Sequence, residues 1–473
     1  MDGVEKKKTT SLSTAFVWQL MTAFFQYGLG FLVTPIFTRV LSTDEYGVVA
    51  TFTTLVTLIG IVISVQTKST MGNAKNKYET GIYEKYISSS IGISITVSAA
   101  VLIIFTVLRN PLGKILGFEP LLVPLLVVQA FVVYVVDYYV VYLRYDFRIK
   151  KSSLIAMLKG VAVSAFSLIL LFVLKENKYL SKIYGTIIPC LVLSVVFLAL
   201  LFRKGKCFFY KEYWQYCLKL SVPLVGLSIS YMIMSQSDRL MLRYMVSDAE
   251  AGVYSVVYVL ATIINMVKET INQAWAPFYF KLKAEKSDAL FEKIRSIRSL
   301  FSGLSVVFLL CSVELFKLIA PEPYWGGLQL IPLVIIAVFC DFLYIFPSNY
   351  ELYSERTRIS MGATVVCAIA NVVLNYFLIP RFQGFGAMIA TVISAVLMII
   401  IHDFFCRRII RGYEIPIPFY VVSTLPIILA AVVYYVFMGN PIVRWGLAGI
   451  IMIIFIAIAT KKGIIFKGRV RNK

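Results

Sequence analysis

The chain is poor in the residues on which most soluble enzymes depend. Its 473 residues include one histidine and only 15% charged residues, whereas soluble globular proteins carry about 25%. A single histidine, His402, excludes a histidine-based metal site, and the seven cysteines show no C-x-x-C spacing for zinc or an iron–sulfur cluster. P-loop, G-x-S-x-G and D-x-D motifs are also absent from the sequence. We therefore predict no metal, no cofactor and no enzymatic activity.

Apolar residues take the place of the missing charge. They make up 59% of the chain, and the mean hydropathy is +0.82. A helix needs about 20 apolar residues to cross a bilayer, and runs of about this length predict fourteen membrane spans. They lie at 14–38, 46–67, 87–108, 119–142, 152–174, 183–202, 217–238, 253–275, 299–319, 328–350, 359–379, 385–405, 417–437 and 443–460. The first run is long, contains Gln19 and Gln26, and reads as a retained helix and not as a cleaved signal peptide.

The net charge of +21 follows the predicted loops. If the N-terminus is cytoplasmic, the inner loops and termini hold 33 of the 46 Lys and Arg residues, the outer loops hold 11, and Lys159 and Lys268 lie inside spans. Cytoplasmic loops of membrane proteins collect basic residues. The asymmetry therefore predicts a multi-pass protein with both termini in the cytoplasm. It also explains the basic excess without a nucleic-acid partner.

The predicted loops are too short to form a soluble domain. A chain that consists mainly of spanning helices is typical of a protein that moves a substrate across the membrane, which favours a transporter over an enzyme.

Two short repeats indicate an internal duplication. At an offset of 205, Ser42 and Glu45 after the first span align with Ser247 and Glu250 after the seventh. A weaker sequence similarity relates Tyr184-Gly185 before span 6 to Phe385-Gly386 before span 12. Because six helices separate the copies, the sequence predicts two six-helix lobes of the same orientation; the alternative is chance similarity between apolar hairpins. The predicted organisation is a cytoplasmic N-terminus (1–13), an N-terminal lobe (14–202), a linker (203–216), a C-terminal lobe (217–405), two further helices (417–460) and a basic tail (461–473).

Polar residues inside the spans are the candidates for substrate contact, because charge near the bilayer centre costs about 2.5–3.5 kcal/mol and generally faces a wet cavity or a partner. On span 8, Asn265, Lys268, Glu269 and Asn272 share one helical face. Further candidates are Gln26 and Arg39 on span 1, Tyr231, Asp238, Arg239 and Arg243 on and after span 7, and Asn371 and Asn375 on span 11. Asp137 and Asp341 are candidates for binding a coupling cation or, alternatively, for acting as counter-ions of other charged residues, and the sequence alone leaves both roles open.

Each candidate has a structural alternative. Lys268 and Glu269 are sequence neighbours that should not face each other on a helix, so either residue could pair with a charge on another helix. Asp238 and Arg239 could lie at the headgroup level, and Asn371 and Asn375 could join helices. Lys159 is expected to extend toward the cytoplasm, and His402 is expected at the membrane interface.

Four segments resemble bacterial polysaccharide flippases. They are LSTDEYGVVATF after span 1, LKLSVPLVGLSISYMIMSQSDRLMLRYMVSDAEAGVYSVVYVLATII across spans 7 and 8, AWAPFYF at the end of span 8, and NVVLNYFLIPRFQGFGAMIATVIS across spans 11 and 12. This family belongs to the multidrug/oligosaccharidyl-lipid/polysaccharide exporter superfamily, which also contains multidrug and toxin extrusion transporters and lipid II flippases.

The resemblance implies a polyprenyl-pyrophosphate-linked oligosaccharide as substrate, moved from the inner to the outer leaflet of the bacterial cytoplasmic (inner) membrane for capsule, O-antigen or exopolysaccharide assembly. It also implies coupling to a proton or sodium gradient, contact with membrane lipids and an association with polysaccharide polymerase machinery. Lys268 and the arginines would hold pyrophosphate, and the Asn, Gln and Tyr side chains would contact sugar. The alternatives are a cation-coupled multidrug exporter of the same superfamily and a polysaccharide polymerase or ligase.

Overall fold

The computed structural model confirms an all-α membrane protein. It describes residues 12–461 except 147, 286–288, 355–356, 411–412 and 414. The helices are α1 (Leu12–Val40), α2 (Thr43–Ser64), α3 (Met71–Lys77), α4 (Thr80–Val107), α5 (Arg109–Leu116), α6 (Leu122–Tyr145), α7 (Ile149–Val173), α8 (Leu180–Gly205), α9 (Lys211–Met245), α10 (Asp248–Ala284), α11 (Ala289–Ile319), α12 (Ile331–Tyr353), α13 (Thr357–Phe405), α14 (Ile417–Val436) and α15 (Pro441–Lys461). Two short 3₁₀ helices, at Thr67–Thr70 and Glu322–Leu330, and a π-helix at Cys406–Ile410 complete the described segments.

All fourteen predicted spans coincide with these helices. Within the described residues, ten segments are long and apolar enough to cross a membrane, and shorter apolar stretches lie in α1 and α15. One of the ten, Gly362–Arg408, is 47 residues long and contains spans 11 and 12. These two spans are two helices separated by a non-helical residue at Gln383, where φ is 52° and ψ is −133°, and we label them together as α13.

The chain divides into two compact units, Met1–Leu240 and Met241–Lys473, with the boundary near the end of α9. In the first unit, three spans (α1, α2 and α4) precede the short helix α5, and three more (α6, α7 and α8) follow it. From α9 onward, three spans (α9, α10 and α11) precede the 3₁₀ helix Glu322–Leu330, and α12 and the two halves of α13 follow it. The same order of long and short helices therefore occurs twice.

The repeated Ser-x-x-Glu segments are helix N-termini. In the first copy, the Ser42 hydroxyl accepts the backbone N–H of Glu45, and the Glu45 carboxylate accepts that of Ser42, forming a capping box at the start of α2. In the second copy, Ser247 likewise accepts the N–H of Glu250 at the start of α10. The Glu250 carboxylate instead accepts the N–H of Gly384, 3.0 Å away, next to the interruption in α13.

The paired glycines of the weaker repeat are points of close helix approach. A Cβ on Gly185 of α8 would lie 2.5 Å from the Ser167 Cα on α7, and a Cβ on Gly386 would lie 2.4 Å from the Leu378 carbonyl oxygen. In each lobe, a glycine thus allows the fifth and sixth spans to pack closely.

The last two helices belong to the second unit, and a buried arginine joins them to it. Arg444 of α15 is fully buried, and its guanidinium donates to the Leu310 carbonyl of α11 at 2.8 Å and to the Glu314 carboxylate. Trp445 Nε1 donates to the same carboxylate at 3.0 Å. The Arg444 charge, assigned to an outer loop by the sequence, therefore fixes α15 against α11.

Candidate functional site

The central group of the candidate site is the charged stripe on α10. Lys268 is largely enclosed, with 12% of its side chain exposed, and its Nζ lies 3.5 Å from Glu269 Oε1 and 3.7 Å from Asp341 Oδ2 on α12. The expectation that Lys268 and Glu269 do not face each other is wrong, because the long side chains bend toward one another. Lys268 also has a charged partner on another helix, as the structural alternative predicted, and this partner is Asp341 of α12.

The charge balance of this group differs from that of a simple anion site. The Lys268–Glu269–Asp341 group combines one amine with two carboxyl groups, so acidic groups outnumber the basic one. About half of the Glu269 side chain is exposed, whereas the lysine is enclosed between the carboxylates. To bind Lys268, a phosphate would have to displace one of the two carboxylates from the lysine. Alternatively, a cation would have to neutralise one of these carboxylates.

Amide groups continue the stripe. Asn272, one turn after Lys268, accepts a hydrogen bond from Asn349 Nδ2 of α12 at 3.4 Å, and Asn349 is 6% exposed. Asn265, one turn before Lys268, is partly buried. The sequence analysis missed Asn349, although its position on a span rich in apolar residues was a signal comparable to that of Asn371.

The candidates near the end of α9 are buried or partly buried within the protein. Asp238 is 1% exposed, and Arg239 donates to Gln236 at 2.8 Å. Arg243 pairs with Asp248 at the start of α10, with Nε and Oδ1 2.6 Å apart. The Arg243 guanidinium therefore already has a carboxylate partner.

The remaining candidates fall into two groups. Asn371 and Asn375 are buried on α13 and hydrogen-bonded to each other at 3.1 Å. Arg39 is exposed at the end of α1 and donates to the Pro35 carbonyl at 2.7 Å. Gln26 of α1 and Tyr231 of α9 have side chains that lie outside the part of the chain the structure describes.

The first unit contains a separate intramembrane ion pair. Lys159 Nζ of α7 lies 2.7 Å from Asp137 Oδ1 of α6, and 17% of the lysine side chain is exposed. Lys159 therefore has a carboxylate partner on the neighbouring helix, and its extension toward the cytoplasm stays a prediction. Both candidates for cation binding, Asp137 and Asp341, therefore lie within 4 Å of a lysine.

Comparison with known proteins places the chain in a family. Residues 13–283 match the family model described as "Polysaccharide biosynthesis protein". The chain belongs to this polysaccharide biosynthesis protein family. No curated protein sequence matches it.

Solved structures show the same fold at low sequence identity. The inward closed conformation of the lipid II flippase MurJ has a TM-score of 0.73 and 13% identity, over 95% of this chain and 99% of that one. An inward-facing multidrug resistance MATE family transporter of the MOP superfamily has a TM-score of 0.59 and 13% identity, over 82% and 97%. A mutant of the Vibrio cholerae MATE transporter VcmN has a TM-score of 0.56 and 13% identity, over 84% and 98%. This member of the polysaccharide biosynthesis protein family thus has a flippase and transporter fold.

Proposed function

We propose that the protein moves polyprenyl-pyrophosphate-linked oligosaccharide repeat units from the inner to the outer leaflet of the bacterial cytoplasmic membrane, by alternating access, for cell-surface polysaccharide assembly. The observation that carries the proposal is Lys268 within a spanning helix, with amide side chains one turn before and one turn after it on the same face. Lys268 can bind a phosphate oxygen, while Asn265, Asn272 and Asn349 offer donors and acceptors to sugar hydroxyls. Membership in the polysaccharide biosynthesis protein family supports a glycan substrate.

The pair of carboxylates beside Lys268 suggests how binding is coupled to a cation. When a pyrophosphate binds Lys268, the carboxylates of Asp341 and Glu269 lose their counter-charge. An uncompensated charge within a membrane is costly. A proton or sodium ion that neutralises a carboxylate removes this cost. Substrate and cation binding at Lys268 are therefore linked, and Asp341 remains a candidate for cation binding.

Deletion of the gene tests the function itself. The deletion strain should lose surface polysaccharide and accumulate lipid-linked repeat units in the inner leaflet. Accumulation of unpolymerised units in the outer leaflet would indicate a polymerase or ligase instead. Unaltered glycan with increased drug sensitivity would indicate the multidrug exporter.

Substitution of Lys268 tests the binding group. Lys268→Ala should abolish surface polysaccharide in the complemented deletion strain while the protein remains in the membrane, since the phosphate-binding cation is lost. Lys268→Arg should retain part of the export, because the charge is kept. Lys293→Ala is the matched control, since Lys293 is exposed on α11, and export should be unchanged. Normal export by Lys268→Ala would refute the assignment of Lys268.

A further inference from the structure

The only histidine of the chain forms a buried pair with a glutamate in the second unit. His402 is fully buried near the end of α13, and Glu351 in the last turn of α12 is 1% exposed. His402 Nδ1 lies 2.8 and 2.9 Å from the two carboxylate oxygens of Glu351. Neither residue was a site candidate in the sequence analysis.

The surroundings of the pair supply no second cation for Glu351 within the described residues. Cys406 Sγ lies 4.0 Å from Glu351 Oε1 and donates to the Pro347 carbonyl at 3.5 Å, and the Tyr344 ring meets the imidazole edge-on at 4.7 Å. Several other charged and titratable groups that the structure describes in this region have their own contacts. Arg407 is paired with Asp403, Tyr413 is hydrogen-bonded to Tyr420, and Lys283 lies over the Tyr350 ring.

This environment gives the pair two distinct charge states. A buried carboxylate is stable only when it is paired and hydrogen-bonded. A lysine or arginine partner ordinarily keeps its charge near neutral pH. Histidine is the side chain whose charge ordinarily changes between about pH 5 and 8. With a neutral ring, Nδ1–H donates to Glu351 and Nε2 carries a lone pair; one proton added at Nε2 converts the pair into an ion pair. Nε2 has no hydrogen-bond partner in the described structure.

The pair also joins two helices where their regular hydrogen bonding is interrupted. Pro347 lies one turn before Glu351 and provides no backbone N–H. The π-helix Cys406–Ile410 begins four residues after His402, and π-helical segments are frequent at functional sites. A change of charge on His402 therefore alters the attraction between α12 and α13 at points where each helix can adjust.

We propose that His402 and Glu351 form a proton-binding site whose occupancy couples a proton gradient to the transport cycle. The coupling step rests on the proposed function, whereas proton binding does not. The site differs from Asp137 and Asp341, because the partner of its carboxylate is itself able to gain and lose a proton.

The single histidine allows proton binding to be observed directly. In full-length protein labelled with ¹⁵N-histidine in lipid nanodiscs, the only imidazole signals come from His402. As the pH is lowered, their chemical shifts should change from those of the neutral Nδ1–H tautomer to those of the doubly protonated ring. In Glu351→Gln the doubly protonated ring should form only at lower pH than in the unmodified protein, because its counter-charge is gone. The control Glu322→Gln, which removes an exposed carboxylate of the same unit, should titrate like the unmodified protein.

Hydrogen–deuterium exchange tests the structural consequence. After correction for the intrinsic pH dependence of exchange, peptides from the ends of α12 and α13 should differ in protection between about pH 6 and 8. His402→Gln should remove that difference. A wild-type imidazole that keeps one protonation state throughout would overturn the site, whether or not Glu351→Gln folds. Equal protection at both pH values would overturn the conformational step.

The coupling step has a separate cellular readout. In the complemented deletion strain, His402→Gln should reduce surface polysaccharide at least several-fold at unchanged protein level. Full export by this variant would refute coupling through His402. If the unmodified protein does not affect surface polysaccharide at all, the proposed function fails, while the nuclear magnetic resonance result still decides whether the site binds a proton.

Discussion

At the scale of single residues, three pairs of opposite charge join spanning helices in the described part of the chain. Lys159 contacts Asp137, Lys268 contacts Asp341, and Arg444 contacts Glu314. The sequence identified most of these residues as unusual, because charge within an apolar run is conspicuous. It did not identify the partners, since the partner depends on which faces of two distant helices meet.

The Lys159–Asp137 pair should stabilise the first unit. Lys159→Ala or Asp137→Ala leaves one charge unpaired within the membrane, which destabilises the protein by up to about 2.5–3.5 kcal/mol. The destabilisation should be smaller than this limit, because 39% of the Asp137 side chain is exposed. The double substitution removes both charges and should be less destabilising than the sum of the two. Thermal unfolding of the four proteins in detergent gives the coupling energy, expected at about 1–2 kcal/mol. Strict additivity would show that the contact contributes nothing to stability.

The environment of His402 could not be read from its position near the end of an apolar run. The side chain is fully buried against Glu351, and its location at the depth of the membrane interface stays a prediction. Glu351 also follows a long apolar run, so the sequence marked both residues as polar positions at the ends of apolar spans. Only the packing of α12 on α13 brings these two residues together.

At the scale of helices, hydropathy was sufficient to place the spans. A helix satisfies its own backbone hydrogen bonds in lipid, so an apolar run of about 20 residues determines a helix without tertiary information. The short helices α3 and α5 and the π-helix were not predicted, because they are too short to give a hydropathy signal and depend on local packing and capping.

The glycines shared by the two lobes provide a test of helix packing. Gly185→Ala and Gly386→Ala would each place a methyl group against backbone atoms of the preceding span, and such overpacking costs about 1–3 kcal/mol. Both variants should unfold at lower temperature in detergent than the unmodified protein.

The matched control for these glycines is Gly446→Ala on α15. Nothing lies within 4 Å of the Cβ that this substitution adds, and alanine favours a helix over glycine by about 0.5–1 kcal/mol. Its unfolding temperature should be unchanged or raised. Equal behaviour of all three variants would show that the glycines in the two lobes are not close-packing positions.

At the scale of the whole molecule, the repeated order of helices agrees with the repeated sequence segments. Part of that repetition has a local cause, since Ser-x-x-Glu is a capping signal at any helix start. The glycine pair has no such local cause, because each glycine is needed only where two successive spans approach. The duplication therefore rests more firmly on Gly185 and Gly386 than on Ser42 and Ser247.

The distribution of basic residues makes a prediction about the orientation of the molecule. With 33 Lys and Arg residues on one set of loops and termini and 11 on the other, we predict that the C-terminus is cytoplasmic and that the turn between α14 and α15, at Gly439, is on the outer side. Alkaline phosphatase fused after Gly439 should be active, because the enzyme requires an oxidising compartment for its disulfides. The same enzyme at the C-terminus should be inactive, and a green fluorescent protein fusion there should fluoresce.

The two fusion sites are separated by one helix, so they must report opposite sides if α15 crosses the membrane. The reverse pattern would invert the topology, and identical results at both sites would mean that α15 does not span. Arg444, fully buried against Glu314, makes the first outcome physically consistent. Its charge is satisfied within the protein, so α15 can insert without placing an unpaired cation in lipid.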